Sequence, residues 1–499
     1  MPSEDYAALL ERIGRVKDVN SAIGLLSWDQ EVYMPPKGAP ARGQQLATLS
    51  AISHRMFTGK EVGELLDRLG GDTSLSADAT KLVEETRYDY DRATRLPESF
   101  VQKFSEERSK AYEAWVRAKG ENNFEGFRPN LETIVDLSKQ KADLMGYEGS
   151  PYNALLEDYE RGMTTEQLRP IFSELAERQS NLVERIAASG RAPDTAWLDT
   201  EWDRDAQWDF TIRILRDMGY DLEAGRQDES VHPFTTDFDL YDVRVTTRIN
   251  TNNPFEAIMA SIHEGGHGLY EQGFLASDQR TILGEAISLG IHESQSRLWE
   301  TLIGQSRPFW EHYAEVLRQA FPEQLKNVSN DAVYRGVNKV QPTLRRLDAD
   351  ECTYNLHIIL RFEIEVALIE GDLKVADIPG LWKAKMKQYL GLDVPDDARG
   401  CLQDIHWSHG SIGYFPTYTL GNLYAAQFLE KLLEDLPTLW EEVGAGNFAG
   451  LLTWLRAKVH QVGRRKQPAE LVRDVTGKDP SSEAYLDYLE KKYGELYDL

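Results

Sequence analysis

The stretch IMASIHEGGHGLYEQGF, residues 258–274, sets His263 and His267 four residues apart with Glu264 between them. On an α-helix, positions four apart lie one above the other, so both imidazoles can face one metal ion. Glu264, next to the first of them, would face the ion's open position and could take a proton from water there. Gly265 and Gly266 fall between the histidines. Each glycine costs a helix interior about 1 kcal/mol relative to alanine, so the pair predicts that another group approaches the helix closely. A catalytic zinc site needs a third protein ligand and an open fourth position. The extended motif with a third histidine six residues on fails, because position 273 is Gly and position 270 is Tyr. A carboxylate on a following helix is then expected. GEAISLGIHESQSRLWE, residues 284–300, offers Glu285 and Glu293. They are eight apart and share a helical face, so spacing alone does not choose between them.

Asn252, Asn253 and Pro254 would open this helix. Just before them, in YDVRVTTRIN, Tyr241, Val243, Val245, Thr247 and Ile249 alternate with polar residues. That period of two, rich in β-branched residues, predicts a strand over 241–249. An extended peptide adding to its edge would gain main-chain hydrogen bonds with little regard to side chains. The rest reads as helices. Residues 1 to about 220 are amphipathic throughout, and Pro97 to Gly120 is the clearest case, with Phe100, Phe104, Ala111 and Trp115 on one face. Loops are expected at Gly371, around Pro395 and from Ser408 to Pro416. The fold class is therefore all-α, mostly helical with one small β-sheet near the active site. With no repeat or linker, it is expected to form a single catalytic domain over 1–499.

Composition narrows the function. A formal net charge of -26 argues against nucleic acid or an anionic membrane as partner. No apolar run approaches the roughly 20 residues that span a bilayer. The N-terminal MPSEDYAALLERIGRV is acidic and amphipathic, unlike a secretory signal. Two cysteines, Cys352 and Cys401, make no disulfide framework, so a cytoplasmic location is expected.

Further short motifs carry a family likeness. They are LLSWDQEVYMPP (25–36), GRQDESVHPF (225–234), the D-x-R-x-T of Asp242, Arg244 and Thr246, and HEGGH. HESQ (292–295), RLDADE (346–351), GCLQDIHW (400–407) and GYFPTY (413–418) follow in order. With these the chain resembles the carboxypeptidase Taq family of metallocarboxypeptidases. The resemblance implies a two-lobed helical enzyme with a deep central cleft, related in fold to neurolysin and angiotensin-converting enzyme. It also implies a homodimer, and Glu293 rather than Glu285 as the third ligand. One departure is Arg345, which stands where the family usually has an aliphatic residue before the basic one, here Arg346.

The expected activity is release of single residues from peptide C-termini with broad specificity, using Zn2+, for which Co2+ could substitute. Glu264 is the expected general base. His406, Tyr414 and Tyr418 are candidate donors to the oxyanion, and likeness to the related enzymes favours His406 with Tyr418. A terminal carboxylate calls for a bidentate arginine, with Arg346 first and Arg244 and Arg345 as rivals. His232 and Phe234 would wall the cleft beside the substrate. An oligopeptidase cutting short peptides internally is the alternative reading.

Overall fold

Side-chain caps start several helices of the N-terminal half. In the computed structural model, which describes residues 3–499, oxygens of Ser3, Ser76, Asn123, Thr164 and Asp203 accept backbone N–H groups at the first turns of Glu4–Val32, Ala77–Arg95, Phe124–Met145, Thr165–Ser189 and Arg204–Met218. Met1 and Pro2, which begin the amphipathic N-terminal segment and the domain expected over 1–499, lie outside the described residues. The helix read from Pro97 spans Glu98–Glu121 and buries Phe100 and Ala111, while Phe104 and Trp115 pack half-buried against the core. It ends two residues past Gly120, at Asn122, which takes the left-handed conformation at φ 52°. Asparagine tolerates that region better than most residues. No helix among the described residues is long and apolar enough to cross a membrane.

Two apolar clusters hold these helices. The larger runs through most of the chain. The smaller joins Leu9 and Ile13 of Glu4–Val32, Val62, Leu65, Leu66 and Leu69, and Leu82 and Val83 to Ile282 and Leu283. The N-terminal helices thus rest on the turn that leads into the Glu293 segment.

The expected strand is Asp242–Thr247 (β3), the centre of a sheet with β1 (Gly225–Glu229) and β2 (Thr235–Asp239) in the order β1-β3-β2. β1 is parallel to β3 and β2 antiparallel, with Thr235 opposite Val245. Both edges of β3 are therefore taken, and no substrate peptide can add to it as its pattern suggested. Period-two patterning reports burial of a face, not the freedom of an edge. The outer edge of β2 has no strand beside it among the described residues. Near its end, Ser21 Oγ of the first helix donates to the Phe238 carbonyl at 2.6 Å. The sheet is tied to the HExxH helix through Ser261 Oγ, which donates to Thr247 Oγ1 at 3.0 Å, and Thr247 Oγ1, which donates to the Ala257 carbonyl at 3.1 Å.

Candidate metal centre and active site

The HExxH helix is Pro254–Glu271. Asn253 Oδ1 accepts from the Phe255 amide at 3.1 Å, and Pro254 occupies the first turn, where no amide partner is needed. The paired glycines have the predicted reason. A Cβ on Gly266 would stand 2.7 Å from Ser296 Cα and 2.8 Å from the Gln295 carbonyl oxygen, both backbone atoms of the helix Leu289–Arg297. A Cβ on Gly265 would stand 2.6 Å from Leu215 Cδ2. Gly266 lets the second helix approach closely enough to deliver Glu293.

Three donor atoms converge there. Glu293 Oε2 lies 3.4 Å from His267 Nε2 and 3.7 Å from His263 Nε2. Ligand atoms of His263, His267 and Glu293 all lie within 4.8 Å of one another. Glu285 does not share a helix with Glu293. The chain is extended at Glu285 and Ser288, Ser288 caps a helix that begins at Leu289, and Glu285 pairs with Lys17 and, at 2.9 Å, with Arg464. The sequence run was one apolar pattern, but it spans a helix start.

The residues around this trio suit a divalent cation. His263 Nδ1 is 2.8 Å from Glu300 Oε2, a carboxylate also held by Arg297 Nη1 at 2.7 Å. With the ring hydrogen given to Glu300, the Nε2 lone pair faces the pocket. His267 turns Nε2 the same way, its Nδ1 lying 2.5 Å from His292 Nδ1. Two imidazole lone pairs and a carboxylate oxygen facing one another repel unless positive charge sits between them. Burial alone would lower the His263 pKa, yet with no ion bound Glu293, Glu300 and Glu264 outweigh it and lift it to about 9, so the acids around the ring favour positive charge at this spot. Burial would raise Glu293, but His263, His267 and Arg297 pull it down to about 2. Glu300 sits on a π-helical stretch, Leu298–Ile303, that continues the Glu293 helix, and such widened turns recur at functional sites.

Glu264 is buried beside the trio. Thr235 Oγ1, at the start of β2, donates to Glu264 Oε2 at 2.7 Å. Burial raises the carboxyl pKa, offset in part by His263 and Thr235, which makes it a better proton acceptor.

The second group of expected residues lies on the 404–415 loop and the helix Pro416–Asp435. His406 is 5.3 Å from Tyr414 and 6.4 Å from Tyr418 between ring centroids, and the two tyrosines are 5.3 Å apart. Burial, with Arg346 and Arg361 acting against Asp404, lowers the His406 pKa to about 4, so the ring is neutral at pH 7. The buried Glu365 pins the loop by accepting from Trp407 Nε1 at 2.9 Å, the Gly413 amide at 3.0 Å and Tyr152 Oη at 2.7 Å.

Arg346 is 6% exposed. Its Nε and Nη2 donate to Asp404 Oδ1 at 3.2 and 3.1 Å, Nη1 donates to Tyr354 Oη at 3.1 Å, and the guanidinium lies 5.0 Å over the Tyr418 ring. Arg361 holds the other Asp404 oxygen at 2.7 Å. Tyr354 also lies under Arg297 at 5.1 Å, which joins this cluster to Glu300 and the trio. Arg345 is exposed, with Asp348 3.6 Å away. Arg244 sits between Trp28 and Phe238, 4.4 and 4.9 Å from their rings, and pairs with Asp242 at 2.8 and 2.9 Å. His232 is exposed on the loop before β2, its carbonyl accepting from Ser230 Oγ at 2.7 Å, and Phe234 is half-buried two residues later. The structure thus gathers His263, His267, Glu293 and Glu264, and beside them His406, Tyr414, Tyr418 and Arg346. It sets Arg244 in an internal pair and leaves Arg345 and His232 on the surface.

Sequence reasoning missed Thr235, Glu300, Asp404 and Gly421, a glycine of the helix Pro416–Asp435 that packs directly on the Glu293 side chain. Glu300 was detectable, since it follows Glu293 by seven residues and so returns to the same helical face. A threonine at the start of a strand carries no such signal.

A helical fold with this donor set and a buried glutamate beside it defines a metallopeptidase. The chain belongs to the carboxypeptidase Taq (M32) metallopeptidase family, which it matches over residues 8–493. It is 41% identical to Thermostable carboxypeptidase 1 of Thermus thermophilus, over 99% of both chains. It is 39% identical to Carboxypeptidase 1 of Bacillus subtilis, over 99% of this chain and 98% of that one. The solved M32 carboxypeptidase of Deinococcus radiodurans R1 is 40% identical over the full length of both chains, with a TM-score of 0.98.

Proposed function

We propose that the chain is a zinc-dependent carboxypeptidase that releases single residues from peptide C-termini with broad side-chain tolerance. The observation that carries this reading is the convergence of His263 Nε2, His267 Nε2 and Glu293 Oε2 beside a buried glutamate. Two imidazoles and a carboxylate are a donor set suited to Zn2+, with Co2+ a substitute of similar preference. A bound divalent ion supplies Lewis acidity and eases deprotonation of water.

The protein residues divide the remaining work. Thr235 occupies Glu264 Oε2 and leaves Oε1 to take a proton from the attacking water and return it to the leaving amine. His406 and Tyr418 donate to the charge developing on the scissile carbonyl oxygen, with Tyr414 beside them. Arg346 receives the terminal carboxylate, sharing its guanidinium with Asp404. His232 and Phe234 line the approach, and the outer edge of β2, which has no strand beside it among the described residues, suits an extended peptide held by its main chain. The whole chain acts as one catalytic unit, two lobes around a cleft, working as a homodimer in the cytoplasm. Its charge of -26 fits neither nucleic acid nor anionic lipid as a partner.

One observation favours an oligopeptidase instead. Arg346 already uses three of its donors on Asp404 and Tyr354. Mass spectrometry of a peptide digested as free acid and as C-terminal amide separates the two. A ladder of single-residue losses on the acid, absent on the amide, supports the carboxypeptidase. Equal cleavage of both supports the oligopeptidase.

A further inference from the structure

HESQ holds two residues that grip His267 from opposite sides. Glu293 meets the Nε2 edge at 3.4 Å and His292, its neighbour in the chain, meets the Nδ1 edge at 2.5 Å. The outer nitrogen of His292, Nε2, lies 2.7 Å from Glu271 Oε1. Glu271 is four residues after His267 on the same helix, so His263, His267 and Glu271 form one stripe. Tyr270 backs the His292 ring edge-on at 5.2 Å and fixes its plane.

We infer that His292 and Glu271 are positioning residues that set the tautomer and ring orientation of His267. The inference rests on His263, His267 and Glu293 as the metal ligands. For His267 Nε2 to present a lone pair, its hydrogen must sit on Nδ1. His292 Nδ1 accepts that hydrogen, and it can do so because His292 donates its own from Nε2 to Glu271. Glu300 performs the same service for His263 directly, at 2.8 Å. His267 reaches its carboxylate through a second imidazole. The two ligands are thus oriented by equivalent chains of different length, and both chains end on a carboxylate that raises ligand basicity.

The test is a competition titration of metal-free full-length protein with Zn2+ against a chromophoric chelator, alongside melting of the metal-free forms. His292→Ala is expected to weaken Zn2+ binding about 10- to 100-fold. His292→Asn, whose side-chain oxygen can stand where Nδ1 stood, should recover part of the loss. Glu271→Gln, which keeps an acceptor oxygen, should lose less than Glu271→Ala. Affinity unchanged in His292→Ala, or a loss of metal-free stability with affinity unchanged, overturns the inference. Should His292→Ala not fold, His292→Asn and the two Glu271 variants carry the same test. His267→Ala is measured in parallel. If it binds Zn2+ as tightly as the unsubstituted chain, the ligand set is what fails, a result distinct from failure of the His292 pair.

Discussion

Gly421 touches Glu293 so closely that a Cβ there would stand 2.4 Å from Glu293 Cγ and 2.7 Å from its Cβ. Gly421 lies inside the helix Pro416–Asp435, where alanine would be favoured by about 1 kcal/mol. The overlap outweighs that gain, since overpacking a filled core costs about 1–3 kcal/mol. Gly421→Ala is expected to lower the melting temperature and, by displacing Glu293, to lower bound metal measured by atomic absorption. Equal metal content in the variant would mean that Glu293 does not hold the ion.

Tyr418 is one helical turn before Gly421, with the Arg346 guanidinium over its ring. A donor to the oxyanion acts mainly in the transition state, so Tyr418→Phe should lower kcat by about 10²-fold or more with little change in KM. Steady-state kinetics of Tyr414→Phe run beside it decide the assignment. A larger loss there would transfer the role to Tyr414.

Arg346→Ala removes one partner of a buried pair with substrate, a change that typically costs about 2–5 kcal/mol. On free-acid peptides kcat/KM should fall by about 30-fold to several thousand-fold, and on amides by little. Asp404 keeps Arg361, so the fold should survive. Arg345→Ala, an exposed position, should leave the acid-over-amide preference intact. If Arg345 carries that preference, the assignment of Arg346 is wrong.

Two buried carboxyls set a pH dependence of stability. Burial lifts Glu365 to about 7 against the bonds from Gly413, Tyr152 and Trp407, and lifts Glu160 to about 7 against those from Ser288, Tyr424 and Gly290. Their ordinary value is 4.5. Being raised on folding, each contributes stability that is complete below pH 4.5 and is lost as the pH climbs through about 7. A Glu365→Gln variant lacks that loss at this position. Its melting temperature relative to the unsubstituted chain should rise between pH 5 and pH 8, and a flat difference would contradict the assignment.

The helical class, the strand at 242–247 and the HExxH helix were legible because each follows from a period or a cap. The glycine pair announced a close neighbour, and Gly266 has one in Ser296. What stayed hidden was relational. Glu285 and Glu293 read as one face because the pattern does not mark Ser288 as the helix start. β3 read as an open edge because a strand's neighbours are set by residues 225–239, which carry no alternation of their own. Thr235 and Asp404 act through contacts made across the fold, to Glu264 and to Arg346 and Arg361, and one-dimensional spacing holds no trace of those.

The most direct test of the account is metal content and turnover in Glu264→Gln. His263, His267 and Glu293 are untouched by the change, so about one ion per chain should remain, by mass spectrometry under native conditions. The amide cannot take the proton from water, so kcat on a free-acid peptide should fall nearly to background. Loss of the ion would make Glu264 a ligand. Retained turnover would mean that the base lies elsewhere, and either result contradicts the account.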